Sequence, residues 1–261
     1  MQRFALTLAL IAFFLNVARA EEGNSLRRGF DKSVVPSFSG IFSGTPVAKN
    51  AWGWGSTVFV KLSGGTCTGT LISPTYVLTA AHCAIVTPEF VAFFDGEKLV
   101  AKRKVIAWKI HPNYTPEPQR FEDNNDIAVL RLESAAPAPF TPVPMLKDVT
   151  QLAGTVVLQG FGKTGVGLHN GLTSANLQVQ ARDEKNFIVQ MGDVEGKQSG
   201  CVGDSGGPAY IKIANQYYLA AVSSYIDADN MSCDGGGHHT FSIIVVNYLS
   251  WIHAVMENGA R

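Results

Sequence analysis

The hexapeptide Gly203-Asp204-Ser205-Gly206-Gly207-Pro208 is the stretch from which the rest of this sequence can be interpreted. It places one hydroxyl group in a glycine-rich turn. A serine hydroxyl is a weak nucleophile unless a base within hydrogen-bond distance takes its proton. The segment Thr79-Ala80-Ala81-His82-Cys83 contains such a base, because histidine takes up and returns a proton near neutral pH. We therefore interpret Ser205 as a candidate nucleophile and His82 as its candidate base.

A third segment, Asp126-Ile127-Ala128-Val129-Leu130, begins with an acid and continues as an apolar run. A carboxylate beside a catalytic histidine holds one tautomer of the imidazole and stabilises the imidazolium. Asp126 is our candidate for that acid, and Asp123 is the nearby alternative. Taken alone, the glycine-rich hexapeptide could also be an ordinary surface turn.

The three segments, in the order His82, Asp126, Ser205, resemble the chymotrypsin/trypsin family of serine endopeptidases, and the resemblance runs from about Ile41 to Trp251. It implies an all-β fold of two packed six-stranded antiparallel β-barrels with a C-terminal helix. It also implies peptide-bond hydrolysis by these three residues through an acyl-enzyme. The backbone N–H groups of Gly203 and Ser205 would form the oxyanion hole.

The distribution of apolar residues is compatible with that fold. Short runs rich in β-branched and aromatic residues, such as Thr57–Leu62 and residues 76–78 and 91–94, are separated by Gly, Pro, Asn or Asp. This pattern predicts a sandwich or a barrel. A helical pattern occurs at residues 246–256. The resemblance places the two barrels at about residues 41–140 and 141–245.

The N-terminal 20 residues predict export. Residues 1–3 carry a positive charge, residues 4–17 are nearly all apolar, and Ala18-Arg19-Ala20 is typical of a signal-peptide cleavage site. A membrane anchor is the alternative, but the apolar run is short for a bilayer. We therefore expect a secreted protein, extracellular or periplasmic, without stable membrane insertion after signal removal.

Charge and composition narrow the classes of partner. Lys plus Arg and Asp plus Glu both number 21, and no long basic run occurs, so nucleic-acid binding has no electrostatic support. The expected partner is a protein or peptide substrate. We expect no cofactor and no metal, and nothing in the sequence requires more than a monomer.

Four cysteines in an exported chain predict two disulfides, for which three pairings are possible. A zinc site is the rival interpretation, but the chain has no Cys-x-x-Cys pair. The resemblance implies the pairings Cys67–Cys83 and Cys201–Cys233. The first would tie a strand to the turn of His82, and the second would tie the Ser205 loop to the wall of the substrate pocket.

The segment Ile41-Phe42-Ser43-Gly44 resembles the N-terminus of mature family members. The polar residues 21–40 then predict a propeptide. In the family, the new α-ammonium group pairs with the aspartate before the nucleophile, which here is Asp204. The resemblance therefore implies a zymogen cleaved before Ile41. Gly40 precedes that bond, where the family commonly has Arg or Lys.

The resemblance also predicts the substrate pocket. Ser199 would lie at its base, and Ser223-Ser224-Tyr225 would replace the family's Ser-Trp-Gly, with Tyr225 at the glycine position. Thr240 would replace the other glycine that keeps the pocket open. This substitution pattern favours Ala, Gly, Ser or Val before the scissile bond. Alternatively, Tyr225 reshapes the strand and leaves an unusual pocket.

Two other functions are compatible with parts of the sequence. A non-catalytic binding module on the same fold would explain an obstructed pocket at Ser224 and Tyr225, although such a module needs none of His82, Asp126 and Ser205. A secreted esterase could use the same three side chains. The order of these residues, His82 before Asp126 before Ser205, argues against the esterase.

Overall fold

The computed structural model describes residues 41–116, 125–162, 171–185, 187–227, 233 and 238–260. The predicted signal peptide and propeptide, with Gly40, lie outside the described residues, as does the alternative acid Asp123. The described part of the chain holds thirteen β-strands and two α-helices. The short strand β1 (Thr45–Pro46) precedes the two barrels and pairs with the second.

Six antiparallel strands close into the first barrel in the order β2-β3-β4-β7-β6-β5. Alternate side chains of β2 face opposite sides, so Val58 and Val60 enter the barrel core while Phe59 packs outside it, in a cluster with Phe161 and Leu172 of the second half. The first-barrel strands are β2 (Thr57–Leu62), β3 (Gly65–Ser73), β4 (Tyr76–Thr79), β5 (Pro88–Asp95), β6 (Lys98–Ile110) and β7 (Ala128–Leu132).

The second barrel follows the order β9-β10-β13-β12-β11-β8 and is closed by pairing of β8 with β9. Its core includes Leu158, Leu177 and Val189, which have no exposed surface. Its strands are β8 (Thr155–Gly160), β9 (Thr173–Asp183), β10 (Ile188–Gly192), β11 (Pro208–Ile213), β12 (Gln216–Ile226) and β13 (Thr240–Ile244). The predicted pair of six-stranded barrels is thus confirmed.

Polar and aromatic contacts join the two barrels. The Thr57 hydroxyl donates to Gln159 Oε1 at 2.8 Å and lies 2.9 Å from the Tyr210 hydroxyl. The rings of Trp52 and Tyr217 stack with centroids 3.6 Å apart. Because buried polar groups need partners, these hydrogen bonds stabilise the packing of the two barrels.

The two helices are short. Helix α1 (Ala81–Ala84) is a single turn that follows β4, and α2 (Leu249–Glu257) closes the fold after a 3₁₀ turn over Val245–Tyr248. The helical pattern predicted at residues 246–256 therefore covers the 3₁₀ turn as well as α2. Ile252 and Val255 of α2 are buried in the same cluster as the first-barrel core.

Candidate active site

The edge shared by β4 and β7 brings His82 and Asp126 together. Thr79, the last residue of β4, pairs with Ala128, the first residue of β7. His82 lies in α1, just beyond β4, and Asp126 lies just before β7. Since antiparallel neighbours end and begin at the same edge, the two side chains meet there. His82 Nδ1 lies 2.7 Å from Asp126 Oδ2, and the His82 backbone N–H donates to Asp126 Oδ1 at 2.8 Å.

Asp126 is almost completely buried and accepts one further hydrogen bond. The Ser224 hydroxyl donates to Asp126 Oδ2 at 2.6 Å. Burial alone would raise the pKa of Asp126, but the charge of His82 and the hydrogen bonds from His82 and Ser224 hold it below its usual value. Asp126 is therefore ionised, and the Nδ1–H of His82 donates to it.

The contact with Asp126 also shifts the pKa of the His82 imidazole. Burial disfavours the imidazolium, yet the adjacent Asp126 carboxylate outweighs it, so the pKa of His82 is raised above 6.5. The ring keeps 34% of its side-chain surface exposed, and its Nδ1 is occupied by Asp126. The Nε2 atom is consequently the one available to exchange a proton with another group.

The Ser205 loop packs directly against the turn that carries His82. Gly206 has a φ of +79°, and a Cβ there would lie 2.0 Å from Thr79 Oγ1 and 2.8 Å from the Ala80 nitrogen. Only glycine permits this approach. The Ser205 carbonyl accepts a hydrogen bond from the Thr68 N–H at 2.9 Å. These contacts bring Ser205 beside the His82–Asp126 pair.

Within the described residues, the Ser205 hydroxyl makes no hydrogen bond, so the structure does not include a Ser205–His82 bond. Hydrogen bonds of this kind are often long in substrate-free enzymes and tighten when substrate binds. The arrangement therefore supplies an oriented imidazole and an unengaged hydroxyl on neighbouring turns.

Gly203 has the backbone conformation expected of an anion-binding turn. Its φ is +99°, and a Cβ there would lie 2.8 Å from Gly162 Cα. Both observations exclude a side chain at this position. The carbonyl of Gly203 accepts a hydrogen bond from Thr68 Oγ1. The N–H groups of Gly203 and Ser205 are the candidate donors to an oxyanion.

Asp204 is buried between the Ser205 loop and the turn that contains Gly160 and Gly162. Its carboxylate accepts hydrogen bonds from the N–H groups of Gly162 and Cys201, each at 2.8 Å. Burial nevertheless raises the pKa of Asp204 to about 7. No cationic side chain among the described residues forms an ion pair with it. A buried carboxylate in this state gains stability from any cation that reaches it.

The segment predicted to become the N-terminus docks beside this loop. Ile41 has no exposed surface and belongs to the core of the second barrel. The Phe42 N–H donates to the Ser199 carbonyl at 3.0 Å, and the Phe42 side chain clusters with Cys201 and Cys233.

The structure contains two disulfides, Cys67–Cys83 and Cys201–Cys233. The first joins β3 to the helix of His82, and the second joins the Ser205 loop to the segment before β13. Among the described residues, the atoms of Cys67, His82 and Cys83 are close enough for metal binding. Both sulfurs are used in the disulfide, however, so this group offers no thiolate ligand.

Two of the predicted pocket residues, Ser199 and Thr240, are fully buried. The Ser199 hydroxyl has no partner among the described residues. The Thr240 Oγ1 accepts from the Gly200 N–H at 2.9 Å. A Cβ at Gly200 would lie 3.3 Å from Thr240 Oγ1 and 3.6 Å from Ile226 Cγ2. Thr240 and Ile226 thus cover the same face of Gly200.

The segment Ser223-Ser224-Tyr225 interrupts the regular pairing of β12 with β13. The register between β12 and β13 shifts between Ser223 and Tyr225, which breaks the regular alternation of side chains. The Ser224 hydroxyl bonds to Asp126, and the Tyr225 ring stacks on Phe241 with ring centroids 4.6 Å apart. Ser223 is buried.

Ile226 was not among the residues predicted from sequence. Its Cγ2 lies close to Gly200, the residue that follows Ser199. No local sequence pattern shows which serine of β12 faces Asp126. The position of Asp126 relative to β12 decides this, and with it the orientation of the residues that follow.

Among the described residues, no helix combines the length and the apolar character that crossing a membrane requires.

Curated relatives are similar over most of the chain. Chymotrypsin-like elastase family member 1 of Bos taurus is 27% identical, over 84% of this chain and 90% of its own length, and the Felis catus protein is 29% identical over the same shares. Vitamin K-dependent protein C of Mus musculus is 27% identical over 84% of this chain. The chain spans about half (52%) of the length of that protein C.

The matched range covers the two barrels and the first turn of α2. A protein-family model described as Trypsin matches residues 41–252, which includes His82, Asp126 and Ser205. The matched residues include both barrels and the hydrogen-bonded pair of His82 and Asp126. The chain therefore belongs to the trypsin family of serine proteases.

Proposed function

We propose that this chain is a secreted serine endopeptidase that uses His82, Asp126 and Ser205 as its catalytic triad. The observation that carries the proposal is the buried Asp126 carboxylate, which accepts from both the ring and the backbone of His82 beside the Ser205 loop. We assign residues 1–20 to a signal peptide, 21–40 to a propeptide and 41–261 to the peptidase domain. Its partners are protein or peptide substrates.

The mechanism follows from the state of each group. Ser205 Oγ attacks the scissile carbonyl while His82 Nε2 takes its proton, and Asp126 stays ionised throughout. The N–H groups of Gly203 and Ser205 stabilise the oxyanion of the tetrahedral intermediate. His82 then gives the proton to the leaving amine. Water, activated by the same imidazole, hydrolyses the acyl-enzyme and regenerates Ser205.

Activation by cleavage between Gly40 and Ile41 is supported by the state of Asp204. This carboxylate is buried, has a pKa of about 7 and accepts only neutral N–H donors among the described residues. A new α-ammonium at Ile41 would give it a cation. The packing of Ile41 in the second-barrel core and the bond from Phe42 to Ser199 favour docking of this segment near Asp204.

We expect the protein that begins at Ile41 to be about 10²- to 10⁴-fold more active than the form that begins at Glu21. This range corresponds to the about 3–5 kcal/mol that an unpaired buried charge costs. Edman sequencing of the secreted active protein identifies its N-terminus. The values of kcat/KM for the two forms give the ratio of their activities. Active protein whose N-terminus is Glu21 would contradict the activation proposal.

Small residues before the scissile bond are favoured by the two side chains that cover Gly200. Thr240 and Ile226 leave little space beside its Cα, and Ser199 adds a buried hydroxyl at the predicted base. We therefore propose cleavage after Ala, Gly, Ser or Val. Gly40 at the activation bond is compatible with self-processing.

The test of function and specificity uses a diverse peptide mixture and mass spectrometry of the cut sites. Protein beginning at Ile41 should cut after small residues, and Ser205→Ala should cut at least about 10⁵-fold more slowly. In the double variant Ile226→Gly with Thr240→Gly, the ratio of cleavage after Phe to cleavage after Ala should rise about 10- to 200-fold. Val194→Gly, at an exposed loop position, is the control and should keep the original ratio.

Specificity for basic or aromatic residues in the unmodified protein would contradict the pocket proposal but leave the peptidase intact. The second candidate function is a non-catalytic binding module, favoured by the covered face of Gly200 and by the unengaged Ser205 hydroxyl. Equal cut patterns for the unmodified protein and Ser205→Ala would favour that module.

A further inference from the structure

Thr68 is a buried polar residue that the mechanism above does not use. It lies on β3 next to Cys67, and its side chain has no exposed surface. Burying a hydroxyl is unfavourable unless the group is hydrogen-bonded. Its partners therefore indicate what the residue is for.

The Thr68 hydroxyl joins two segments of the second barrel. Oγ1 donates to the Gly203 carbonyl at 2.9 Å and accepts from the Phe161 N–H at 3.0 Å. A backbone carbonyl can only accept and an N–H can only donate, so the single hydroxyl proton must point at Gly203. The side chain thus links the first barrel to the oxyanion turn and to the turn beside it.

The backbone of Thr68 adds two bonds to the same region. Its N–H donates to the Ser205 carbonyl at 2.9 Å, and its carbonyl accepts from Thr79 Oγ1 at 2.8 Å. One residue of β3 therefore holds the carbonyls of Gly203 and Ser205, whose N–H groups are the proposed oxyanion donors. Through Thr79 it is also connected to the strand that leads to His82.

Gly203 needs such an anchor because glycine has the widest backbone freedom of any residue. No side chain can hold it, since a Cβ would meet Gly162 Cα at 2.8 Å. The Gly203 N–H and carbonyl flank the same Cα, so fixing the carbonyl restricts the direction of the N–H. A donor that points away from the developing oxyanion forfeits much of its stabilisation.

We propose that Thr68 is a positioning residue for the oxyanion hole. Its hydroxyl, which belongs to the opposite barrel, binds both the Gly203 carbonyl and the Phe161 N–H and so fixes the direction of the Gly203 N–H. The inference rests on the proposed peptidase function. Thr68 touches no reacting atom, and it acts through Gly203. Its removal should weaken binding of the transition state and leave binding of the ground-state substrate nearly unchanged.

The experiment compares Thr68→Val, which keeps the shape but removes the hydroxyl, with Thr68→Ser, which keeps the hydroxyl. All variants are made in the full chain, and rates are divided by the active-site concentration from a titration burst. We expect kcat of Thr68→Val to fall about 10- to 100-fold with KM within about twofold, while Thr68→Ser stays within about threefold of the unmodified protein. The inhibition constant of a peptide aldehyde, which forms an oxyanion-like adduct, should rise by the same factor as kcat falls.

Thr57→Val is the matched control. Thr57 is also buried on a first-barrel strand and hydrogen-bonds across to the second barrel, but it contacts Gln159 and Tyr210 rather than the Ser205 loop. We expect it to lower the unfolding temperature as Thr68→Val does while keeping kcat per active site. A loss of stability alone therefore cannot produce the result expected for Thr68→Val.

The inference is overturned if Thr68→Val keeps kcat per active site, if KM carries the loss, or if Thr68→Ser is as impaired as Thr68→Val. If Thr68→Val yields too little folded protein, Thr68→Ala, which leaves room for water, is measured in its place against the same criteria. Ser205→Ala is assayed alongside. Equal rates for it and the unmodified protein would overturn the peptidase proposal itself, whereas equal rates for Thr68→Val and the unmodified protein overturn only the role of Thr68.

Discussion

Replacing Ser205 by alanine is expected to lower kcat by about 10⁵- to 10⁶-fold, with little change in KM. The substitution removes one oxygen atom, so substrate still binds while the nucleophile is lost. The Ser205 hydroxyl makes no structural hydrogen bond among the described residues, and its N–H and carbonyl are unaffected by the change. The fold and its stability should therefore remain. Single-turnover hydrolysis of a chromogenic peptide ester, together with thermal unfolding, measures both quantities.

The control for this variant is Ser134→Ala, at an exposed position after β7, which should retain the full rate. A residual rate for Ser205→Ala above that of buffer is expected, because the oxyanion donors and substrate binding still contribute about 10³-fold or more. A loss of less than about tenfold would show that another nucleophile performs the reaction. A drop in unfolding temperature of several degrees would instead reveal a structural role for the hydroxyl.

Replacing Asp126 by asparagine should lower kcat by about 10⁴-fold near neutral pH. In the structure Asp126 Oδ2 accepts from both His82 and Ser224. An amide NH₂ at that position can only donate, so the Nδ1 of His82 must become an acceptor and the proton moves to Nε2. The imidazole then presents the wrong tautomer to Ser205 and cannot take its proton. If the amide oxygen faces Nδ1 instead, the NH₂ group faces the backbone N–H of His82, and two donors lie opposite each other.

The pH profile separates this explanation from simple unfolding. Neutral His82 is the active base, so kcat/KM of the unmodified protein should rise with pH through a midpoint above 6.5, since Asp126 raises the pKa of His82. In Asp126→Asn, burial acts without the opposing carboxylate, and that midpoint should move to lower pH. Asp148→Asn, at an exposed carboxylate that caps a 3₁₀ turn, should change neither value. An unshifted midpoint in Asp126→Asn would exclude Asp126 as the partner of His82.

The sequence prediction succeeded where a local motif carries the information. The strand Thr57–Leu62 was delimited correctly because its β-branched and aromatic residues form an uninterrupted run. Strand β6 was not predicted, because its outward positions carry lysines and its pattern is weakly apolar, although it pairs along β5 and β7. Pairing with neighbours, rather than intrinsic propensity, stabilises that strand.

The contacts of β12 could not be predicted from the sequence for a similar reason. Two serines in succession, Ser223 and Ser224, leave the register ambiguous by one residue. A one-residue shift moves every following side chain to the opposite face of a strand. The β12 irregularity and the bond from Ser224 to Asp126 resolve that ambiguity, and they identify Ile226 as the residue that covers Gly200.

By itself, the sequence determined the family, the two-barrel fold and the candidate residues His82, Asp126 and Ser205, because each lies in a short motif whose chemistry depends on adjacent residues. The tertiary structure alone decided which groups hold that site in place. Ser224 on Asp126 and Thr68 on Gly203 are contacts between residues 98 and 135 positions apart. Such contacts arise from the closure of two barrels against each other, and a hydrogen bond at that separation leaves no periodicity in the chain from which it could be predicted.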